Sequence, residues 1–154
     1  MDWYLDQACG GPLFLKQLEL ASMVVECLHK GVALGHYELG AYVVMENHVH
    51  VLLLPRIALS RLLQSLKGFT AREANRMLGR TGEPFWQAES YDHWVRDEAE
   101  YARIARYIEN NPVKAGLVAR AEDYPWSSAN ARKRLDTIVE TADTSVRATK
   151  PAQL

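Results

Sequence analysis

The chain has 154 residues, 48% hydrophobic and 24% charged, with a formal net charge of −1. These values describe one soluble globular domain, long enough to bury a real core, with no overall sign of a polyanionic partner. No apolar stretch reaches bilayer length, no signal peptide opens the chain, and Cys9 and Cys27 fit neither a metal motif nor a disulfide framework, which points to a reducing cytoplasm.

In chain order, Pro12 opens an amphipathic helix carrying Leu13, Leu18, Ala21, Val24, Val25 and Leu28, which fades between Gly31 and Gly35. Tyr37 to Met45 reads as a strand. Glu46-Asn47 turns the chain back into a second strand, His48 to Leu54, stopped by Pro55, so the pair forms a hairpin. From Arg56 to Arg80 the segment carries a formal +5 and reads as a helix with Leu59, Leu62, Leu63, Leu66 and Met77 on one stripe and Gly68 as a point of interruption. Arg61, Arg72 and Arg76 fall on a neighbouring face. A turn-rich loop spans Gly79 to Pro84, and a short strand is expected around Phe85-Trp86 and Tyr91 to Val95. Asp97, Glu98 and Glu100 mark the start of a helix that Asn111-Pro112 should end. Residues 1–130 form the expected domain, and 131–154 read as a polar, loosely held tail. There are no internal repeats.

The chemistry concentrates in two places. His48 and His50 are two apart on an apolar strand, so both imidazoles leave the same face. Buried polar rings are costly without a partner, and a shared divalent metal is one such partner; a hydrogen-bonded core histidine is the plainer alternative. On the helix before Pro112, Tyr107 and Asn111 are four apart and lie one turn from each other. By themselves they read as a packed aromatic and a helix-ending residue. The basic face at Arg61, Arg72 and Arg76 suits phosphate binding, although on this feature alone a solvated face that keeps the protein soluble is the favoured explanation.

Val44-Met45-Glu46-Asn47-His48-Val49-His50 resembles the histidine-hydrophobic-histidine motif of single-tyrosine HUH transposases. Tyr107 to Val118 (YIENNPVKAGLV) is similar to the block that marks their REP-associated tyrosine transposase branch. Phe85-Trp86-Gln87, Tyr91-Asp92-His93, Val95-Arg96-Asp97 and Tyr124-Pro125-Trp126-Ser127-Ser128-Ala129 occur in the same order in that branch, so the resemblance covers roughly Leu13 to Ala129. The histidine triplet is a weak signal alone, and the ordered set is a strong one.

The resemblance implies an α+β, ferredoxin-like sandwich with an antiparallel sheet, whose histidine strand faces the tyrosine helix. It implies His48, His50 and Asn111 as ligands of Mg²⁺ or Mn²⁺, and Tyr107 as nucleophile. The activity implied is nicking and rejoining of single-stranded DNA near hairpins through a 5′-phosphotyrosine, in a cytoplasmic, nucleoid-associated protein with no membrane partner, as monomer or homodimer. Arg61, Arg72, Arg76, Arg96 and Lys114 become the expected DNA contacts. Trp86 and Tyr91 offer faces for unpaired bases, although Trp86 and Trp126 read first as core. Glu46 and His93 are candidate general bases only if the fold brings them near Tyr107.

Two departures from the branch stand out. Only Trp3-Tyr4-Leu5 remains to serve as a first strand, which is therefore expected to be missing or truncated, and its loss would leave the histidine strand with an open edge. Glu46 stands where the branch typically has proline. Two competing readings are a truncated relative that binds hairpin DNA without cutting it, and a structural or sensory metal protein with no DNA role.

Overall fold

The computed structural model describes residues 3–7, 12–87 and 90–148, with the side chains of 3–7, 90–94 and 141–148 left aside. The main elements are β1 (Trp3–Gln7), α1 (Leu18–Ala33), β2 (Tyr37–Val44), β3 (Val49–Pro55), α2 (Leu59–Met77), β4 (Ser90–Trp94), α3 (Glu98–Lys114) and α4 (Ser128–Ala148). The strands form one antiparallel sheet in the order β2-β3-β1-β4. The β1-α1-β2-β3-α2-β4 succession with this order is the expected ferredoxin-like arrangement.

The first strand is present and short. Its five residues pair with β3 on one side and β4 on the other, with Asp6 opposite His50. β3 is thus bonded on both edges, through β2 and β1, and the open edge feared for the histidine strand does not arise. Hydrogen bonding on both sides holds even five residues in the sheet.

Alternation along β3 divides the core. Val49, Val51 and Leu53 join Leu20, Val24 and Leu28 of α1 and Leu62 and Ala74 of α2. Leu52 instead joins Ala41 and Val43 of β2, Val95, Ile108 of α3 and Tyr124. With a side-chain period of two, His48 and His50 share the face of Leu52, so they point towards α3. Helices α1 and α2 cover one side of the sheet and α3 the other.

Several boundaries differ from the sequence expectation. A single 3₁₀ turn, Phe14–Lys16, precedes α1, which starts at Leu18 rather than at Pro12. Gly68 does not interrupt α2. Phe85 and Trp86 stand outside β4; Phe85 stacks on Phe14, and Trp86 donates from Nε1 to Thr70 Oγ1 at 2.8 Å, as the core reading of Trp86 requires. The segment beyond 131, expected as a loose tail, continues as helix through Ala148. Its root is fastened by a bidentate ion pair, Arg132 to Glu109 at 2.6 Å for each contact. Among the described residues, no helix is long and apolar enough to cross a membrane.

Tyr37 closes the hairpin against α1: its ring is buried and its hydroxyl donates to Leu28 O at 2.7 Å. A Cβ on Gly31 would meet that ring. Gly31→Ala is therefore expected to displace Tyr37 and lower stability by about 1–3 kcal/mol, read as a lower urea midpoint; an unchanged midpoint would show that the ring has room to move.

Candidate functional site

The hairpin turn is tight, with Met45 N donating to His48 O at 2.8 Å and Val43 paired with His50. It delivers both imidazoles to one place: their ring centroids are 4.7 Å apart at 84°. Both rings are buried, and so are their Nε2 atoms. Asn47 Oδ1 lies 2.7 Å from His48 Nδ1. A carbonyl oxygen only accepts, so His48 carries a proton on Nδ1. Burial first, and His48 second, push the His50 pKa down to about 3, which holds that ring neutral.

Across the interface, α3 supplies the phenol. Asp97 caps its start, accepting from Glu100 N at 2.8 Å, while Glu100 reaches back to Arg96 N at 2.8 Å. Ile108, fully buried beside Leu52 and Val43, anchors the helix on the histidine face of the sheet. The next residue back, Tyr107, then stands edge-on to His50 with centroids 5.8 Å apart, yet it is 41% exposed and so open to a large substrate.

The helix does not end at Asn111. It runs through Pro112 to Lys114 and closes with Leu117 N bonding to Pro112 O at 2.9 Å and Gly116 at φ +71. Pro112 itself is buried, so packing outweighs the local preference against a helical residue before proline. The extra turn has a consequence for the site. It puts Lys114 two turns from Tyr107, with Nζ 4.5 Å from the centre of the ring. Asn111 donates from Nδ2 to Tyr107 O at 3.0 Å, a bond that leaves its Oδ1 as an available acceptor.

The structure thus brings His48, His50 and Tyr107 together and sets Asn111 and Lys114 on the same helix. Arg96 lies at the start of that helix. Arg61, Arg72 and Arg76 are exposed on α2, on the far side of the sheet, and Arg76 is already paired with Glu73 at 3.0 Å. They are not part of the histidine–tyrosine site. Glu46 pairs with Lys16 at 3.8 Å and helps raise the pKa of buried Tyr124, after burial itself. The side chains of Tyr91 and His93 lie outside the described residues. Among those described, no three His, Cys, Asp or Glu side chains converge.

The sequence did not point to Arg103 and Arg106, which flank Tyr107 on the outer face of α3. Their offsets of four and one from Tyr107 were the available signal. Nor did it point to the brace that seats the Tyr107 helix. Tyr124 donates to Val44 O at 2.9 Å, Ser128 Oγ lies 3.1 Å from Tyr42 N, and Ser128 also bonds Glu109 of α3.

Comparison with known proteins gives a consistent result. Residues 15–111 match the family described as transposase IS200 like. Over 96 residues the chain is 30% identical to the REP-associated tyrosine transposase of Escherichia coli, covering 60% of this chain and 54% of that protein. A shorter stretch of 43 residues is 42% identical to a Haemophilus influenzae protein provisionally named a REP-associated tyrosine transposase, covering 28% of this chain and 24% of that one. The chain therefore spans about half or less of the curated relatives it matches. A solved REP-associated tyrosine transposase bound to a REP hairpin superposes with a TM-score of 0.63 at 21% identity, over 82% of this chain and 75% of that one, which establishes the shared fold. The family match takes in both site histidines and Tyr107 to Asn111, well over half the sequence in all, and the chain belongs to the IS200-like transposase family.

Proposed function

We propose that this protein cuts and rejoins single-stranded DNA beside hairpins, with Tyr107 as nucleophile. The observation that carries the reading is the edge-on contact of Tyr107 with His50, which puts an exposed phenol against a buried pair of imidazoles. The relatives' designations and the hairpin bound by the solved relative support the choice of substrate.

Tyr107 Oη attacks a backbone phosphorus. The bond from phosphorus to the 3′-oxygen breaks, the 5′-phosphate stays on the tyrosine, and the departing oxygen takes up a proton to become a 3′-hydroxyl. The phenol proton is released to solvent. Because one phosphoester replaces another, attack by a 3′-hydroxyl reverses the step with no further energy source. A free phenol titrates near 10, so attack at neutral pH needs charge stabilisation. Lys114 places one positive charge over the ring, where phenolate and phosphate both carry negative charge. His48, His50 and Asn111 would hold a Mg²⁺ or Mn²⁺, which supplies further neutralisation of the phosphate oxygens when bound. The donor set fits. Two buried imidazoles, that of His50 held neutral, are nitrogen donors, and an amide oxygen suits a hard ion that also takes phosphate and water. Asn47 fixes the His48 ring, and Ile108 holds the phenol at its station. Arg61, Arg72 and Arg76 form a separate basic surface on α2, suited to a distant part of the DNA backbone.

The test is a denaturing gel of the protein with labelled hairpin-bearing single-stranded DNA from the flanks of its own gene and Mn²⁺. Wild type is expected to give a denaturation-resistant protein–DNA band, and Tyr107→Phe none. An equal band from Tyr107→Phe would move the nucleophile elsewhere. A native-gel shift without any covalent band would identify a hairpin-binding relative that no longer cuts.

A further inference from the structure

Beside Tyr107, on the outer face of α3, is an open cleft of about 560 Å³ lined by Arg103, Arg106, Tyr107, Glu109, Asn110 and Lys114. Arg103, Arg106, Tyr107, Asn110 and Lys114 recur at intervals of three, one, three and four, which makes one stripe along the helix. From Arg103 to Lys114 the stripe runs roughly 16 Å along the axis.

The electrostatics of this cleft are one-sided. Both oxygens of Glu109 are bound by Arg132, at 2.6 Å each, so the acid in the wall is neutralised. Arg103 touches Glu100 at 3.3 Å, while its own side chain stays largely exposed. Among the described residues, no acid is paired with Arg106 or Lys114. Apart from Tyr107 the lining offers no aromatic face, so it has charge and hydrogen-bond donors for a backbone but no platform for stacking bases. A merely solvated face accounts for the charges but not for a concave groove that opens onto the nucleophile.

We propose that this cleft holds the sugar–phosphate backbone of the unpaired DNA strand flanking the phosphate attacked by Tyr107, with Arg103 and Arg106 as its phosphate ligands. The inference rests on the reading of Tyr107 given above. Arg103 and Arg106 touch phosphates next to the reacting one and carry no base specificity; they keep the strand in register with the phenol.

The test uses the full chain and fluorescence anisotropy with labelled oligothymidylate at several salt concentrations. The Arg103→Ala/Arg106→Ala protein is expected to bind 10- to 100-fold more weakly at low salt. The slope of log affinity against log salt should become shallower by about 1.4, or 0.7 for each lost phosphate contact. Arg103→Lys/Arg106→Lys should keep most of the slope, because it keeps the charge. In the gel assay, the double alanine protein should form adduct slowly at low DNA concentration and recover at saturation. Equal affinity and slope in wild type and a folded double alanine protein would overturn the inference, as would no binding of oligothymidylate by wild type. Binding that depends on the two arginines, with no adduct from wild type, would retain the cleft and discard the catalytic reading.

Discussion

Replacing His50 by alanine is expected to lower covalent adduct formation by roughly 100-fold or more, because the proposed metal would contribute several kcal/mol of charge stabilisation. His50 is the ring that touches both His48 and Tyr107, and it is 1% exposed. Its loss therefore removes a proposed ligand and the ring that stands edge-on to the phenol. The companion measurement is Mn²⁺ binding by titration calorimetry, where His50→Ala and His48→Ala should each raise Kd by at least tenfold. Excess chelator should reproduce the loss in wild type, and added Mn²⁺ should reverse it. A folded His50→Ala protein that forms adduct at the wild-type rate would remove the histidine pair from the mechanism. Unchanged Mn²⁺ affinity in both variants would do the same for the proposed ligand set.

The second large effect is on stability. Ile108 is fully buried between α3 and the sheet, against Leu52 and Val43. Ile108→Ala should destabilise the protein by about 2–5 kcal/mol, the sum of lost apolar transfer and the cavity left behind. That is a large share of a typical domain's net stability. Activity should fall as well, below the unfolding temperature, since Ile108 is the side chain that presses the neighbouring Tyr107 towards His50. Urea denaturation and the adduct gel on the same preparation separate the two losses. A midpoint equal to wild type would mean that α3 is held chiefly by the brace of Tyr124, Ser128, Glu109 and Arg132 rather than by its apolar face. Arg106→Ala, on the exposed side of the same helix, is the contrasting control for stability and should leave the midpoint in place.

How far the sequence could be read depended on the range of the interactions. The hairpin was legible because its signals are local: period-two alternation, β-branched residues and a polar two-residue turn lie within eighteen positions, from Tyr37 to Leu54. The start of α3 was legible for the same reason, since Asp97 and Glu100 act within one turn. The end of α3 was misread. The local penalty at Asn111-Pro112 was visible, but the burial of Pro112 that outweighs it was not. The region after Ala131 looked like a loose tail because its composition is polar, whereas its helix is fastened at its root by the bond from Arg132 to Glu109, twenty-three residues away.

The same division runs through the site. His48 and His50 were singled out in the sequence by residue type and a two-residue offset, whereas Tyr107, Asn111 and Lys114 took their roles from the family resemblance. That the histidine face and the tyrosine face meet was implied by the resemblance, but spacing along the chain could not show it. It depends on α3 packing on the sheet side that carries Leu52 and not on the side that carries Leu53, and one residue of register separates the two. The basic residues show the consequence most clearly. Arg61, Arg72 and Arg76 carry the denser run of charge in the sequence, but α2 lies on the opposite side of the sheet. Arg103 and Arg106, scattered among acids in the sequence, are the ones beside the phenol, because Glu109 is turned away to Arg132 and leaves the cleft to the cations. Charge along the chain is a property of the sequence; which charges face one phosphate is decided by the layers of the fold.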